Sequence, residues 1–311
     1  MTPDTIARDA SVVVGAREPR HLWRLVGGKH WQIASDVAES TAVTDAADGH
    51  RGDCAPGMVE VRGTMKIEAA GGLPIEDLQN TTCTSWIQRE FPERCGAFDE
   101  LRWREIAASL PTVAEHFCMD RFEYPNERGQ YPLIVVSWHE ASALCASAGK
   151  RLCTESEWTY ACEGDEALPY PYGYKRDASA CVIDRPWIPY HEAALRERTS
   201  DAAMRELDAL WQGAASGASP RCQSRSGVYD TTGNVDEWTT SIHPDGHASI
   251  LKGGYWGPVR GRCRAATRVH EEDYVFYQQG FRCCADAPVP APSGTASVDA
   301  PSRGLEDGGG P

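Results

Sequence analysis

Twelve cysteines, at positions 54, 83, 95, 118, 145, 153, 162, 181, 222, 263, 283 and 284 of 311 residues, constrain the fold of this chain more than any other feature. The count is even, and no two cysteines are spaced Cys-x-x-Cys, so a zinc ribbon has no support from spacing. Such a set reads as a disulfide framework made in an oxidising compartment. The alternative is a group of buried free thiols in a cytosolic protein. Residues 1–10 carry no signal-peptide pattern, and Val12-Val13-Val14 is too short for its apolar core. The cysteines outweigh the missing leader, and the expected location is extracytoplasmic: periplasmic, cell-surface or secreted. No stretch is apolar enough to span a bilayer.

The net charge of −14 disfavours nucleic acid, whose phosphates it would repel, and anionic membrane surfaces. Ten Trp and eleven Tyr stand against six Phe, which favours side chains with an apolar body and a polar tip. With 29 Gly and 20 Pro, the chain is expected to contain much loop and few long helices.

Residues 1–53 show no clear periodicity apart from an isolated patch at His21-Leu22-Trp23-Arg24-Leu25-Val26, and are expected to be weakly ordered. A strand is expected at Met58, Val59 and Val61, after a Pro-Gly turn signal. Cys83 and Cys95 bracket an aromatic segment and suit a local disulfide loop. Leu133-Ile134-Val135-Val136, rich in β-branched residues, reads as a strand. Ser137 with Glu140 then forms a capping box, with Ala141, Leu144, Cys145 and Ala148 at helical spacing and Gly149 as the stop. Thr154 with Glu157 repeats the device, stopped by Gly164. Residues 195–210 read as a surface helix, and Ser249-Ile250-Leu251-Lys252 as a strand entering the Gly253-Gly254 turn. Residues 287–311, rich in Pro, Ala, Ser and Gly, bury too little apolar area to offset their ordering entropy and are expected to be disordered. The folded domain is therefore placed at 54–286.

Five phrases fall in one order over residues 118–286: Val136-Ser137-Trp138, Gly149-Lys150-Arg151-Leu152, Thr154-Glu155-Ser156-Glu157-Trp158, Gly233-Asn234-Val235-Asp236-Glu237-Trp238 and Gly280-Phe281-Arg282-Cys283. Through them the chain resembles the sulfatase-modifying-factor family, whose founding activity is the formylglycine-generating oxidase. The resemblance implies an α+β, disulfide-rich domain with a C-type-lectin-like core, little regular secondary structure and bound calcium. It also implies the pairs Cys145–Cys283 and Cys162–Cys263. The pairing of the other eight cysteines does not follow from sequence.

An oxidase of this type needs two thiols near copper, because soft thiolates hold Cu(I) and one of them must react. The family carries both between the Gly-Gly turn and an Arg-Cys-x-Ala cysteine. Here that interval is Tyr255-Trp256-Gly257-Pro258-Val259-Arg260-Gly261-Arg262, without a cysteine, and Cys263 matches a structural position. Copper oxidation is therefore disfavoured for want of a nucleophile. A sulfoxide-forming branch takes iron ligands from a His-x-x-x-His-x-Glu run, which is absent here. A local iron or zinc site would have to draw on His139, His191, His243, His247 or His270.

Calcium is the cofactor the resemblance favours, with Asn234 and Glu237 as side-chain ligands and the Val235 carbonyl beside them. The competing reading is a plain turn with Asn234 in the left-handed conformation. A second, weaker calcium position falls at Asp184, where Cys181 stands in place of the usual Asn. Ligand-binding candidates are Tyr255, Trp256, Arg260, Arg262, Arg268, His270 and Tyr277, since aromatic and Arg side chains dominate binding centres. The competing reading is that alternate residues are core and the arginines pair with local acids. Three functions remain open: a calcium-dependent binding or accessory module for a peptide or small ligand, a copper- or iron-dependent oxidoreductase acting on a thiol, and a cell-envelope structural protein.

Overall fold

A computed structural model describes residues 22–26, 30–34, 53–243 and 246–288. Most of the stretches expected to be weakly ordered (1–53) or disordered (287–311) lie outside these residues. The domain core is two four-stranded sheets. One joins β3 (Met58–Lys66), β6 (Thr112–Asp120), β12 (Cys283–Asp286) and β7 (Arg151–Leu152), in that order. The other has the order β10 (Ala266–Thr267), β9 (Ser249–Lys252), β8 (Asp236–Thr240) and β11 (Gln279–Phe281). The β8–β11 pair is parallel, with Glu237 opposite Gly280, and the other pairs of these sheets are antiparallel. A smaller hairpin, β4 (Cys83–Gln88) with β5 (Arg94–Phe98), follows the short α1 (Ile75–Asn80) and precedes α2 (Glu100–Ala108).

Both capping boxes form. In α3 (Trp138–Ser147), Ser137 Oγ accepts from the Glu140 N–H at 3.2 Å and the Ser137 N–H donates back to Glu140 Oε2 at 2.9 Å. In α4 (Glu155–Glu163), Thr154 and Glu157 make the same exchange at 3.2 and 2.8 Å. Each cap stabilises its helix by about 1 kcal/mol. Trp158 of α4 is fully buried among Val61, Phe117, Met119 and Cys284. α3 packs Ala141, Leu144 and Cys145 against Trp238 and Phe281.

Three expectations are corrected. Residues 133–136 are no strand: Ile134 makes one antiparallel bridge to Trp23, and Val135 turns to a φ of 61°, which breaks any ladder. The surface helix at 195–210 is split into α5 (Glu192–Leu195) and α6 (Asp201–Leu210), because Ser200 caps a new helix by accepting from the Ala203 N–H at 3.1 Å. Within the stretch expected to be weakly ordered, β1 (Leu22–Val26) and β2 (His30–Ala34) form an antiparallel hairpin. Its Trp23, Leu25 and Trp31 are buried with Leu207 and Leu210 of α6. Those partners lie far along the chain, so the patch looked isolated in sequence.

All twelve cysteines pair: Cys54–Cys118, Cys83–Cys95, Cys145–Cys283, Cys153–Cys284, Cys162–Cys263 and Cys181–Cys222. The adjacent Cys283 and Cys284 of β12 thus reach α3 on one side and Cys153, between β7 and α4, on the other.

Candidate functional site

The Gly-Asn-x-x-Glu-Trp and Gly-Phe-Arg-Cys phrases meet through the parallel β8–β11 pair. Arg282 grips the Glu237 carboxylate with Nε on Oε2 and Nη2 on Oε1, both at 2.6 Å, with neither residue exposed. Trp158 Nε1 donates to the same carboxylate at 2.9 Å, and Arg282 Nη2 also donates to the Tyr229 carbonyl at 2.9 Å. Only glycine fits at 233, where φ is 80° and a Cβ would stand 2.2 Å from the Val182 carbonyl oxygen. Asn234 follows in the left-handed region at φ 58°, as the plain-turn reading had it.

These partners decide how the calcium expectation fits. Asn234 Oδ1 accepts from the Ala214 N–H at 2.8 Å, and its Nδ2 donates to both oxygens of Glu123 at 3.0 and 2.8 Å. Glu237 spends both oxygens on Arg282 and Trp158. Asp184 is held by Arg176 at 2.8 and 3.0 Å and by Arg94 at 3.2 Å. A divalent cation needs free oxygen lone pairs, and the side chains of Asn234, Glu237 and Asp184 offer their oxygens to internal donors instead. They do not fit calcium in this arrangement. Among the described residues no group of three or more His, Cys, Asp or Glu side chains gathers as a metal site. The histidines go separate ways: His191 to Glu206 at 3.1 Å, His243 to Glu155 at 3.7 Å, His247 to Glu272 at 3.8 Å, and His139 beside Trp138.

Sequence reasoning missed several buried acids around this centre. Burial, with Asp230 and Glu237 nearby, pushes the Glu123 carboxyl well above its usual range. Burial raises Asp230 to about 6 and Asp236 to about 7, and lowers the fully buried Lys252 to about 8. Asp236 sits inside the quoted phrase, but only its position behind Gly254, whose N–H it accepts at 3.2 Å, reveals its burial.

The ligand-binding candidates separate into three places. Arg260 and Arg262 converge on one oxygen of Glu76, at 3.3 and 2.8 Å, and stack over Phe91 and Phe98 respectively. Burial works against ionisation of Glu76, but the two guanidiniums overcome it and hold its carboxyl below the usual range. This is a clamp between the loop that follows the Gly-Gly turn and α1. Arg268 forms a two-pronged pair with Glu155 of α4. Trp256 is 2% exposed and packs edge-on against Trp211 at 4.8 Å, as a core residue.

Tyr255, Tyr277 and His270 belong to the third place, a run of rings. His270 stacks flat on Tyr274 at 3.8 Å, and burial lowers its pKa. Phe276 touches Tyr277 at 4.7 Å and stands perpendicular to Tyr190 at 5.0 Å. Tyr255 joins through Trp256 at 5.6 Å. Beside these rings opens a cleft of about 410 Å³ between residues 273–277 and the α5–α6 segment, floored by Trp23 and Val135. Residues 195–210 read as a surface helix, but nothing in the sequence marks that segment as a cleft wall or Tyr190 as a neighbour of its rings.

The cysteine that follows the clamp, Cys263, is tied to Cys162, and no thiol is free. The chain is similar to "Inactive C-alpha-formylglycine-generating enzyme 2" of Bos taurus, 32% identical over 174 residues that cover 53% of this chain and 54% of that protein. It is also similar to the formylglycine-generating enzyme of Mus musculus, 30% identical over 179 residues, 51% of this chain and 45% of that one. The chain spans about half the length of these relatives. The crystal structure of CarF aligns over 74% of this chain and 98% of its own, at 16% identity and a TM-score of 0.45. Residues 76–287 match the sulfatase-modifying factor enzyme 1-like domain, more than half of the chain, and the protein therefore belongs to the sulfatase-modifying-factor family.

Proposed function

We propose that this protein is a non-oxidising member of its family, an extracytoplasmic binding or accessory module that receives a peptide or small ligand on its C-terminal loops. The observation that carries the reading is the complete pairing of the cysteines: twelve cysteines, six disulfides, and a loop from 255 to 262 without a thiol. Copper-thiolate oxidation needs a thiolate that can reach both metal and substrate. Cys263 is fully buried and bonded to Cys162. Six disulfides favour an oxidising compartment. No helix among the described residues is long and apolar enough to cross a membrane.

Calcium has no part in this reading, since the carboxylates it would use are held by guanidinium groups. The test is a thiol count on the denatured, unreduced protein, together with oxygen uptake in the presence of Cu(I) and a cysteine-containing peptide. No titratable thiol and no oxygen consumption above the peptide blank are expected. A reduced Cys263 with copper-dependent oxygen uptake would overturn the proposal in favour of an oxidoreductase.

A further inference from the structure

The cleft beside residues 273–277 has the chemistry of a selective receptor. Its volume of about 410 Å³ lies at the lower end of the range for small-ligand sites, enough for one long side chain and adjoining backbone. Apolar walls come from Trp23, Leu207, Phe276 and Tyr277, and three charged side chains line it: Arg196, Arg198 and Asp273.

Both cations have an acidic neighbour. Arg198 donates to Glu140 at 3.0 and 2.8 Å and to the Val135 carbonyl at 3.0 Å. Arg196 lies 3.5 Å from Glu192, one helical turn away, with both side chains largely exposed, so this pair is loose and solvent-screened but neutral in sum. Asp273 is exposed and has no hydrogen-bond or ion-pair partner among the described residues. The charge left over at the cleft is therefore negative, and it lines the same cleft as the rings. Ring faces carry negative quadrupole density and attract cations, most strongly where water is partly excluded. The net charge of −14 adds long-range attraction for a positive ligand and repels an anionic one.

We propose that this cleft receives a cationic side chain, lysine or arginine, presented by a peptide, with Asp273 pairing the charge and Phe276, Tyr274 and Tyr277 packing its stem. This rests on the binding-module reading and names the class of ligand for it. Arg198 acts as a wall, its guanidinium held by Glu140, and the exposed Arg196 is balanced in charge by the neighbouring Glu192, which leaves Asp273 as the unbalanced charge of the site.

The experiment is calorimetric titration of the full chain with a five-residue peptide, capped at both ends, bearing one central lysine. The same peptide is then used with acetyl-lysine and with glutamate at that position, and as an uncharged proline-rich sequence. The lysine peptide is expected to bind at least tenfold more tightly than the acetyl-lysine and glutamate versions. Asp273→Asn is expected to lower its affinity about tenfold, an effect of the size expected for one charge-assisted contact, without shifting the melting temperature. Phe276→Ala is expected to lower it further.

Equal binding of the lysine and acetyl-lysine peptides would overturn the inference, as would lysine-peptide binding that survives both substitutions. Binding of the proline-rich peptide alone would refute the choice of a cation but leave the module reading standing. No binding of any peptide, together with copper-dependent oxygen uptake on a cysteine peptide, would remove the module reading itself.

Discussion

The centre around Glu237 and the cleft around Phe276 are built from neighbouring strands and loops but obey opposite rules. In the centre the ion pairs close at hydrogen-bond distance, Arg282 with Glu237 and Asp184 with two arginines, and Glu123 accepts from the Asn234 amide. At the cleft the rings touch one another, and the Asp273 carboxylate is left to solvent. The phrases that identify the family hold the fold together, while the rings of the cleft and the exposed Asp273 carboxylate lie on loops between them. A buried ion pair is costly to break from one side, because the remaining charge has no solvent to turn to. An exposed carboxylate can change with little effect on folding.

Replacing both Cys145 and Cys283 with alanine opens a crosslink between residues 138 positions apart. The expected loss is about 5 kcal/mol on the chain-entropy model, read as a fall in the denaturation midpoint. Arg282→Leu strands a buried Glu237 and should cost about 3–5 kcal/mol, with part of it recovered in the Arg282→Leu/Glu237→Gln double variant. Full tolerance of Arg282→Leu would show that the centre is not closed in the way the geometry indicates.

The buried acids give a pH signature. Asp236 moves from 3.8 to about 7 and Asp230 from 3.8 to about 6 on folding, each chiefly through burial. The folded state therefore binds more protons than the unfolded one between about pH 4 and 7. The stability contributed by these groups is fully present below pH 4 and is lost as pH rises through 6 to 7. Asp236→Asn should flatten that decline by on the order of 2–4 kcal/mol between pH 4 and 8, measured by urea denaturation. A parallel slope in the variant would place the titration elsewhere.

A smaller effect is expected at the half-buried Arg260. Arg260→Gln leaves Arg262 on Glu76 and should cost about 1 kcal/mol or less. The smallest expected effect is none: chelation with EDTA should leave the melting temperature unchanged, because the carboxylates the resemblance assigns to calcium are held by arginine. A drop on chelation that added calcium reverses would show that calcium displaces those pairs.

Much of the scaffold was legible locally. The two capping boxes, the strand after Pro56-Gly57 and the strand at Ser249–Lys252 depend on residues within a few positions of one another. The pairs Cys145–Cys283 and Cys162–Cys263 came from resemblance and are present. The break between α5 and α6 was also written locally, in Ser200, but an uninterrupted helical reading passed over it. The strand expected at 133–136 failed for another reason. β-Branched composition favours extended backbone, yet a strand also needs a ladder, and there the chain makes a single bridge, to Trp23, before Val135 turns away.

The amino-acid sequence alone determined that this is an α+β, C-type-lectin-like domain of the sulfatase-modifying-factor kind, rich in disulfides and lacking the oxidase thiols. Caps, turns, cysteine count and ordered phrases are properties of residues near one another in the chain. The tertiary structure decided which charges are spent and which are free. Glu76 meets Arg260 across 184 positions, Glu123 meets Asn234 across 111, and Arg198 meets Glu140 across 58. An ionisable side chain becomes part of the scaffold or stays available to a ligand according to its partners and its access to water, and both are set only when distant segments pack.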